Sequence, residues 1–390
     1  MSVVLAGYAR TPFVKFMGAF ANVSAVELGA HAIRAALTNA GIAPEQVAAV
    51  IAGHVLQAGL GQNTARQSAV GAGIPLTTTA ITINAVCLSG TQAVADAVRL
   101  IDSGDATVVV VVGQESMTNA PHVLPGSRKG TKYGAIELID TMEFDGLTDA
   151  FEKRSMGIST EDANTPLGLT RAEQDEVAAA SHQRSVAHAE FVAGEIVPMT
   201  VSIGRTETVV SIDDGVRAET SMESLAQLRP AFSPGGTITA GNSSQISDGA
   251  AALVFMSDAT AARLGVTGIA EVLATAFVAG PDVTLHSQPA NAIKAAAAKA
   301  SIQVAELAAI EINEAFAAVS VQSTKDLGVS SEIVNTTGGA IALGHPIGAS
   351  GARIVGHLAR RLAREGVGSI GAAGICGGGG QGSAVILRAL

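Results

Sequence analysis

Apolar and polar positions recur along the chain in two similar blocks. Residues 31–50, HAIRAALTNAGIAPEQVAAV, carry apolar residues at helical spacing and close on a short apolar run, which predicts an amphipathic helix followed by a strand. Residues 291–310, NAIKAAAAKASIQVAELAAI, repeat the pattern with Ala32/Ala292, Ile33/Ile293, Ala40/Ala300, Ile42/Ile302 and Ala48/Ala308 in register. Further along, Cys87-Leu88-Ser89-Gly90 falls opposite Gly348-Ala349-Ser350-Gly351, and the strand-like run 107–112 falls opposite 369–374. Three matches in one order at a near-constant offset predict two copies of one α/β unit. Each copy reads as an amphipathic helix, a short apolar strand, a small-residue helix and a second strand. That alternation implies a mostly parallel or mixed sheet covered by helices.

The offset leaves a more polar insertion after the first copy, at about residues 119–246. Within it, 170–190 predicts one helix, with Thr170 as N-cap and Glu173 completing a capping box. Long insertions in compact domains commonly carry function, often as a substrate lid. The expected organisation is an N-terminal half over 1–118 plus 247–267, an inserted domain over 119–246 and a C-terminal half over 268–390.

Composition narrows the class. With 48% hydrophobic and 15% charged residues in 390, the chain has material for large cores and excludes intrinsic disorder. Its longest apolar runs are strand-sized, far short of the roughly 20 residues of a spanning helix, so no membrane association is expected. The opening MSVVLAGYARTPF has neither the basic start nor the long apolar stretch of a signal peptide. A net charge of −10, 3% aromatics and no Trp argue against nucleic-acid binding. An anionic substrate would need local basic groups or backbone amides. The two cysteines, Cys87 and Cys376, form neither a disulfide scaffold nor, without a His cluster, a zinc site, so no metal is expected. They suit reduced thiols in a cytoplasm.

Four places carry candidate chemistry. Cys87 follows a β-branched run and precedes an alanine-rich helix, at a strand-to-helix turn where free N–H groups and the helix dipole favour a thiolate. A buried, inert Cys is the competing reading. Cys376 leads into Gly377–Gly380 (ICGGGGQG), backbone that can approach a ligand closely and aim several N–H groups one way. The G-x-G-x-x-G within it is a decoy, since no helix and second strand follow. His345 lies in GGAIALGHPIGASGAR, where Pro346 and the glycines exclude a helix and put the His on a loop before a helix over 350–361. It reads as a base or as a structural His. Asn313, after the strand 310–312, sits where open α/β sheets place ligands, or serves as an N-cap. The other histidines, His31, His54, His122, His182, His188, His286 and His357, read as surface residues. Packing the two copies about a two-fold would bring the Cys87, His345 and Cys376 loops into one cleft.

Together, NAVCLSG around Cys87, NEAF at 313–316, GHPIGASGAR from Gly344 and the Cys376-Gly-Gly-Gly-Gly run resemble the thiolase family. ARTPF at 9–13 and GNSSQISDGAAA at 241–252 extend the likeness over essentially the whole chain. The resemblance implies duplicated α/β halves in a layered αβαβα arrangement with an inserted loop domain. It implies acyl transfer between a thioester and coenzyme A, with coenzyme A as substrate and product and no resident cofactor. Cys87 would carry the acyl group, His345 would activate it, and Cys376 would move a proton on the α-carbon of the second substrate. Asn313, through a water, and His345 would hold the enolate-like oxygen; the N–H groups of Cys87 and Gly378 would hold the tetrahedral oxyanion. Coenzyme A contacts would come from Leu147, Met156, Arg217, Ser224, Phe232, Ala240, Ser244 and Phe316, with Arg217 facing the phosphates unless it is spent in a salt bridge. The segment YGAIELIDTMEFDGLTDAF at 133–151 is similar to that of short-chain acetoacetyl-CoA thiolases, which implies condensation of two acetyl-CoA and a homotetramer, a dimer of dimers held partly by a loop near 120–140.

Ser155, where close relatives often have His, and Leu285-His286-Ser287-Gln288-Pro289, in place of M-G-x-G-P, put chain-length preference in doubt. A longer or 2-methyl-branched 3-ketoacyl-CoA is the nearest rival substrate. A ketosynthase-like condensing enzyme and a non-catalytic binder or thiol sensor are the more distant alternatives.

Overall fold

Local signals start and stop the helices. Ser24 accepts from Glu27 N and Glu27 answers at the Ser24 N–H, a capping box that opens α1 (Ala25–Ala40). Gly41 ends it at φ 66°. A computed structural model describes residues 2–390. The first copy runs β1 (Val3–Arg10), β2 (Val14–Lys15), α1, β3 (Ala49–Gly53), α2 (Thr64–Gly71), β4 (Thr79–Ile83), α3 (Ser89–Asp102) and β5 (Val108–Ser116). A long excursion follows, holding β6 (His122–Val123), β7 (Ile139–Asp140), α4 (Met156–Asn164), α5 (Arg171–Ala187), α6 (Ala189–Ala193), β8 (Met199–Ile203), β9 (Thr206–Val210) and α7 (Met222–Ala226). The chain re-enters the sheet at β10 (Ser247–Ser257) and passes α8 (Asp258–Leu264). The second copy is β11 (Ala270–Ala279), α9 (Gln288–Lys299), β12 (Ala309–Ile312), α10 (Ala317–Leu327), α11 (Ala340–Leu343), α12 (Ile347–Glu365), β13 (Ile370–Gly377) and β14 (Gln381–Ala389).

The repeat appears element for element: α1 and α9, β3 and β12, α3 and α12, β5 and β13 occupy equivalent places. The strands form one ten-stranded sheet in the order β12-β13-β14-β11-β1-β10-β5-β3-β4, with β2 added on β10. The halves are joined by a short antiparallel ladder, Val3↔Val272 to Leu5↔Ala270. One face of both halves packs on α3 and α12, where Val109, Val111, Phe255, Ile375 and Leu387 meet Val94, Ile354 and Leu358. The outer faces are covered by α1 and α2 on one half and by α9 on the other. The result is the αβαβα layering that the resemblance implies.

The central helices touch backbone to backbone. A Cβ on Gly90 would lie 2.4 Å from Ala352 N, and one on Gly351 would lie 2.5 Å from Thr91 N. These glycines are partners in the repeat, so the contact sits on the pseudo-two-fold.

Several expectations need correction. The helix expected over 350–361 runs Ile347–Glu365, because Pro346 supplies an extended N-cap and starts the helix earlier. One helical turn, α11, lies inside the glycine-rich stretch where none was expected. The helix over 170–190 keeps its capping box at Thr170 but breaks at His188, whose φ of −115° leaves the helical region before α6. Most importantly, four histidines assigned to the surface are buried: His54, His182, His286 and His357. Each has a specific partner, Thr64 Oγ1 (2.9 Å), Arg217 N (3.1 Å), Asn164 Oδ1 (2.9 Å) and Glu195 Oε2 (2.9 Å). Partnered polar groups go inside, and those partners are distant in sequence.

The helix crossing predicts that Gly351→Ala, although it adds only a methyl, forces α3 and α12 apart and costs about 1–3 kcal/mol. Its denaturation midpoint is expected well below that of the parent chain; an unchanged midpoint would mean the crossing tolerates a Cβ.

Candidate active site

Cys87 is presented by a strained turn. Val86 just before it adopts φ 51°, a left-handed conformation costly for a β-branched residue. The turn is held from both sides: Val86 N donates to Asn84 Oδ1 (3.0 Å), Ser89 Oγ donates to Val86 O (2.6 Å) and Ala85 N donates to Ser89 Oγ (2.9 Å). α3 begins two residues later, so the thiol stands at a helix N-terminus.

Cys376 lies near the end of β13, opposite Gly382 of β14. The glycine run forms the β13–β14 hairpin. At Gly380, with φ 69°, a Cβ would sit 1.8 Å from Asp282 O, so only glycine lets the hairpin lie against the loop entering α9.

His345 sits between α11 and α12, its N–H donating to Gln245 O (3.1 Å). Its Nδ1 is 2.6 Å from Ser350 Oγ, whose hydroxyl donates to Pro346 O (3.0 Å). With that proton committed, the network assigns the ring proton to Nδ1 and leaves the Nε2 lone pair free. Nε2 is buried with no protein partner, and so is Asn313 Oδ1. The Asn313 amide nitrogen approaches His345 Nδ1 at 3.4 Å.

Burial sets the charge state. It pushes the Cys87 thiol up to about 12, against the N–H groups of Cys87 and Gly378 that favour the thiolate, and Glu115 adds to the rise. Burial also raises Cys376, with the neighbouring Cys87 adding to it. It lowers His345 to about 4, assisted by the charge of Arg353. The resting site therefore holds two neutral thiols and one neutral imidazole. It can transfer an acyl group if an approaching electrophile draws the proton from Cys87 to His345.

Cys87, His345, Cys376 and Gly378 line one cavity of about 510 Å3. Asn313 stands behind its wall, fully buried. Leu147 and Met156 line it from the excursion, and Phe232 meets Phe316 edge to face at 6.0 Å. Ala240 and Ser244 also line it, with Ser244 N and Oγ both donating to Ala315 O. Arg217 reaches the cavity without a protein acceptor for its guanidinium among the described residues, so it is not spent in a salt bridge. Ser224 is placed elsewhere: it is exposed, and its hydroxyl caps α7 through Ser221.

Sequence reasoning missed Lys15, a second cation on the lining. Its signal was a lone basic residue two positions beyond ARTPF in an apolar run. No Asp or Glu lines the cavity, although the chain carries −10 overall. Ser155 and Leu285 both line it, and Leu285 packs with Cys376, Ala315 and Val319. Among the described residues no group of three or more His, Cys, Asp or Glu could hold a metal ion, and no helix is long and apolar enough to cross a membrane.

Profiles of the thiolase N-terminal and C-terminal domains match residues 3–259 and 266–389. The chain is 53% identical to a probable acetyl-CoA acetyltransferase of Mycolicibacterium smegmatis, over 99% of this chain and 100% of that protein. It is 52% identical to the protein of the same name from Mycobacterium leprae, over 100% of this chain and 99% of the relative. The crystal structure of the Bacillus anthracis acetyl-CoA acetyltransferase superposes with a TM-score of 0.95 at 37% identity, covering 100% of this chain and 99% of that one.

The neutral pair carries a pH signature. A thiol deprotonated by an internal imidazole has a pH-independent reactive fraction between the two titrations, from about 4 to about 12. Alkylation of Cys87 by iodoacetamide, followed by mass spectrometry, is expected to be flat from pH 6 to 8. A tenfold rise per pH unit, as for an isolated thiol, would exclude transfer to His345.

Proposed function

The chain belongs to the thiolase family, and we propose that it condenses two molecules of acetyl-CoA to acetoacetyl-CoA and free CoA, reversibly, through an acyl group on Cys87. The observation that carries the reading is the shared cavity: two thiols, a free imidazole Nε2 and two unpaired cations face one space without an acidic side chain.

The proton balance closes with these groups alone. Cys87 Sγ attacks the thioester carbonyl as His345 Nε2 takes its proton, and the N–H groups of Cys87 and Gly378 receive the oxyanion. The departing CoA sulfur takes the proton of Cys376. The Cys376 thiolate so formed removes a proton from the α-carbon of the second acetyl-CoA. The enolate oxygen is held by His345, now protonated on Nε2, and by a water that donates to it and is itself held by the Asn313 side chain. Carbon attacks the acyl carbonyl, and Cys87 leaves with the proton returned by His345. Each thiol ends as it began, and no resident cofactor is required.

The residues 119–246 and Phe316 would hold coenzyme A, with Leu147, Met156, Phe232, Ala240 and Ser244 along the pantetheine and Arg217 and Lys15 toward the phosphates. Leu285, Ala315 and Val319 pack around Cys376, which supports a short acyl group. β4 is an edge strand with Ile81 exposed, and Tyr133, Ile136 and Leu138 stand exposed outside the core. Such edges and patches favour self-association, here as a dimer of dimers. Two free, buried cysteines suit a reducing cytoplasm.

CoA-dependent cleavage of 3-ketoacyl-CoAs from about four to sixteen carbons tests the substrate. Activity is expected at the four-carbon length; a maximum at longer chains would replace acetoacetyl-CoA as substrate, and none at any length would remove the activity. Cys87→Ser should give no acyl-enzyme by mass spectrometry after acetyl-CoA. Cys376→Ser should become acylated yet lose carbon–carbon bond formation by at least 100-fold. Label appearing on Cys376 instead would reverse the assignment.

A further inference from the structure

We propose that His182, on α5, is a positioning residue for the nucleotide end of the substrate: it fixes the backbone from which Arg217 reaches the cavity. The inference rests on the reading of Arg217 as a phosphate contact.

Segment 213–217 joins the two cations of the cavity and is tethered along its length. Asp213 takes a bidentate pair from Arg10 (2.6 and 2.8 Å) and accepts from Phe13 N (2.7 Å). Asp214 accepts from the backbone N–H of Lys15 (2.7 Å), tying the segment to the second cation. Gly215 O accepts from Gln245 Nε2 (3.0 Å), and Gln245 itself lines the cavity. The last tether is Arg217 N, which donates to His182 Nδ1 at 3.1 Å.

That bond differs from the others. It is the one tether to α5, and it requires an imidazole with a lone pair on Nδ1 and its proton on Nε2. Burial and the nearby Arg217 charge lower His182 to about 4, so the ring is neutral near pH 7 and the acceptor is present. The guanidinium makes no hydrogen bond or ion pair to protein among the described residues, so the backbone is what orients it. Free backbone at this point would have to be ordered at each binding event.

The test compares His182→Ala, His182→Asn and Arg217→Met in thiolysis, using acetoacetyl-CoA and its pantetheine thioester, which lacks the nucleotide phosphates. His182→Ala is expected to raise KM for the CoA thioester about tenfold while kcat, and KM for the pantetheine thioester, stay within about twofold. His182→Asn offers an amide oxygen near the Nδ1 position and is expected to recover most of the loss. Arg217→Met should raise the same KM at least as much. If Arg217→Met does so but both His182 variants match the parent chain, His182 has no positioning role. If the His182 variants depress kcat on both thioesters along with the thermal midpoint, the residue is structural packing and the inference falls. If Arg217→Met leaves KM for the CoA thioester unchanged, the phosphate reading itself fails, and the inference with it.

Discussion

The backbone contact between α3 and α12 at Gly90 and Gly351 sets the geometry on which the rest depends. Two helices meet there with no side chain between them, so their N-termini emerge close together on one side of the sheet. The turn before α3 carries Cys87, and the loop before α12 carries His345. Duplication explains why both helices offer the same small residue at the crossing. Any side chain there would separate the nucleophile from its base by the thickness of that side chain. Glu115 reinforces the arrangement from the end of β5, accepting N–H groups from Val55, Leu56 and Gly348 and so tying the loop after β3 to the first turn of α12. Its carboxylate also bears on Cys87, where it works with burial to keep the thiol protonated.

That neutrality is the second organising feature. A thiolate stored at rest would be exposed to every passing electrophile and would be expensive in a water-poor pocket. Here the proton moves when the substrate arrives, and two buried polar atoms that lack a protein partner at rest stand beside that chemistry. His345 Nε2 and Asn313 Oδ1 are buried and unpaired, at a cost of about 1–3 kcal/mol each. The strained Val86 adds to that cost. The cores on either side of the α3–α12 layer are densely apolar and can sustain these local penalties.

The sequence made the duplicated architecture legible because a repeat is a linear signal: helix, strand and offset recur in the same order. Cys87, His345 and Cys376 were legible because special backbone surrounds them, a strand-to-helix turn, a Gly-His-Pro loop and a glycine run. What was not legible depends on partners far away along the chain. Nothing in the neighbourhood of His54, His182, His286 or His357 states that Thr64, Arg217, Asn164 or Glu195 will come to meet it. Lys15 went unremarked because only the pairing of β2 with the start of β10 turns it to the cavity. Ser224, by contrast, had the right type for a ligand contact and was claimed locally by its own helix cap.

The binding and reacting ends of the site hang on one buried ionic chain. Arg10, fully enclosed, holds Asp213 with two nitrogens and Glu195 with a third at 2.7 Å. The other oxygen of Glu195 meets His357 Nδ1 at 2.9 Å, and His357 Nε2 lies 2.6 Å from Thr337 Oγ1. Burial alone would raise Glu195, but His357 and Arg10 outweigh it and hold the carboxyl well below its usual range. Asp213 begins the segment that ends at Arg217, and His357 lies in the middle of the helix that His345 precedes. Buried ion pairs add little net stability over a well-packed apolar core, because desolvation offsets their attraction. Their directional bonds do fix distances. An apolar replacement would fill the same volume yet let the excursion slide over α12, and the cations that meet an anionic substrate would no longer stand at a set distance from the sulfur that attacks it.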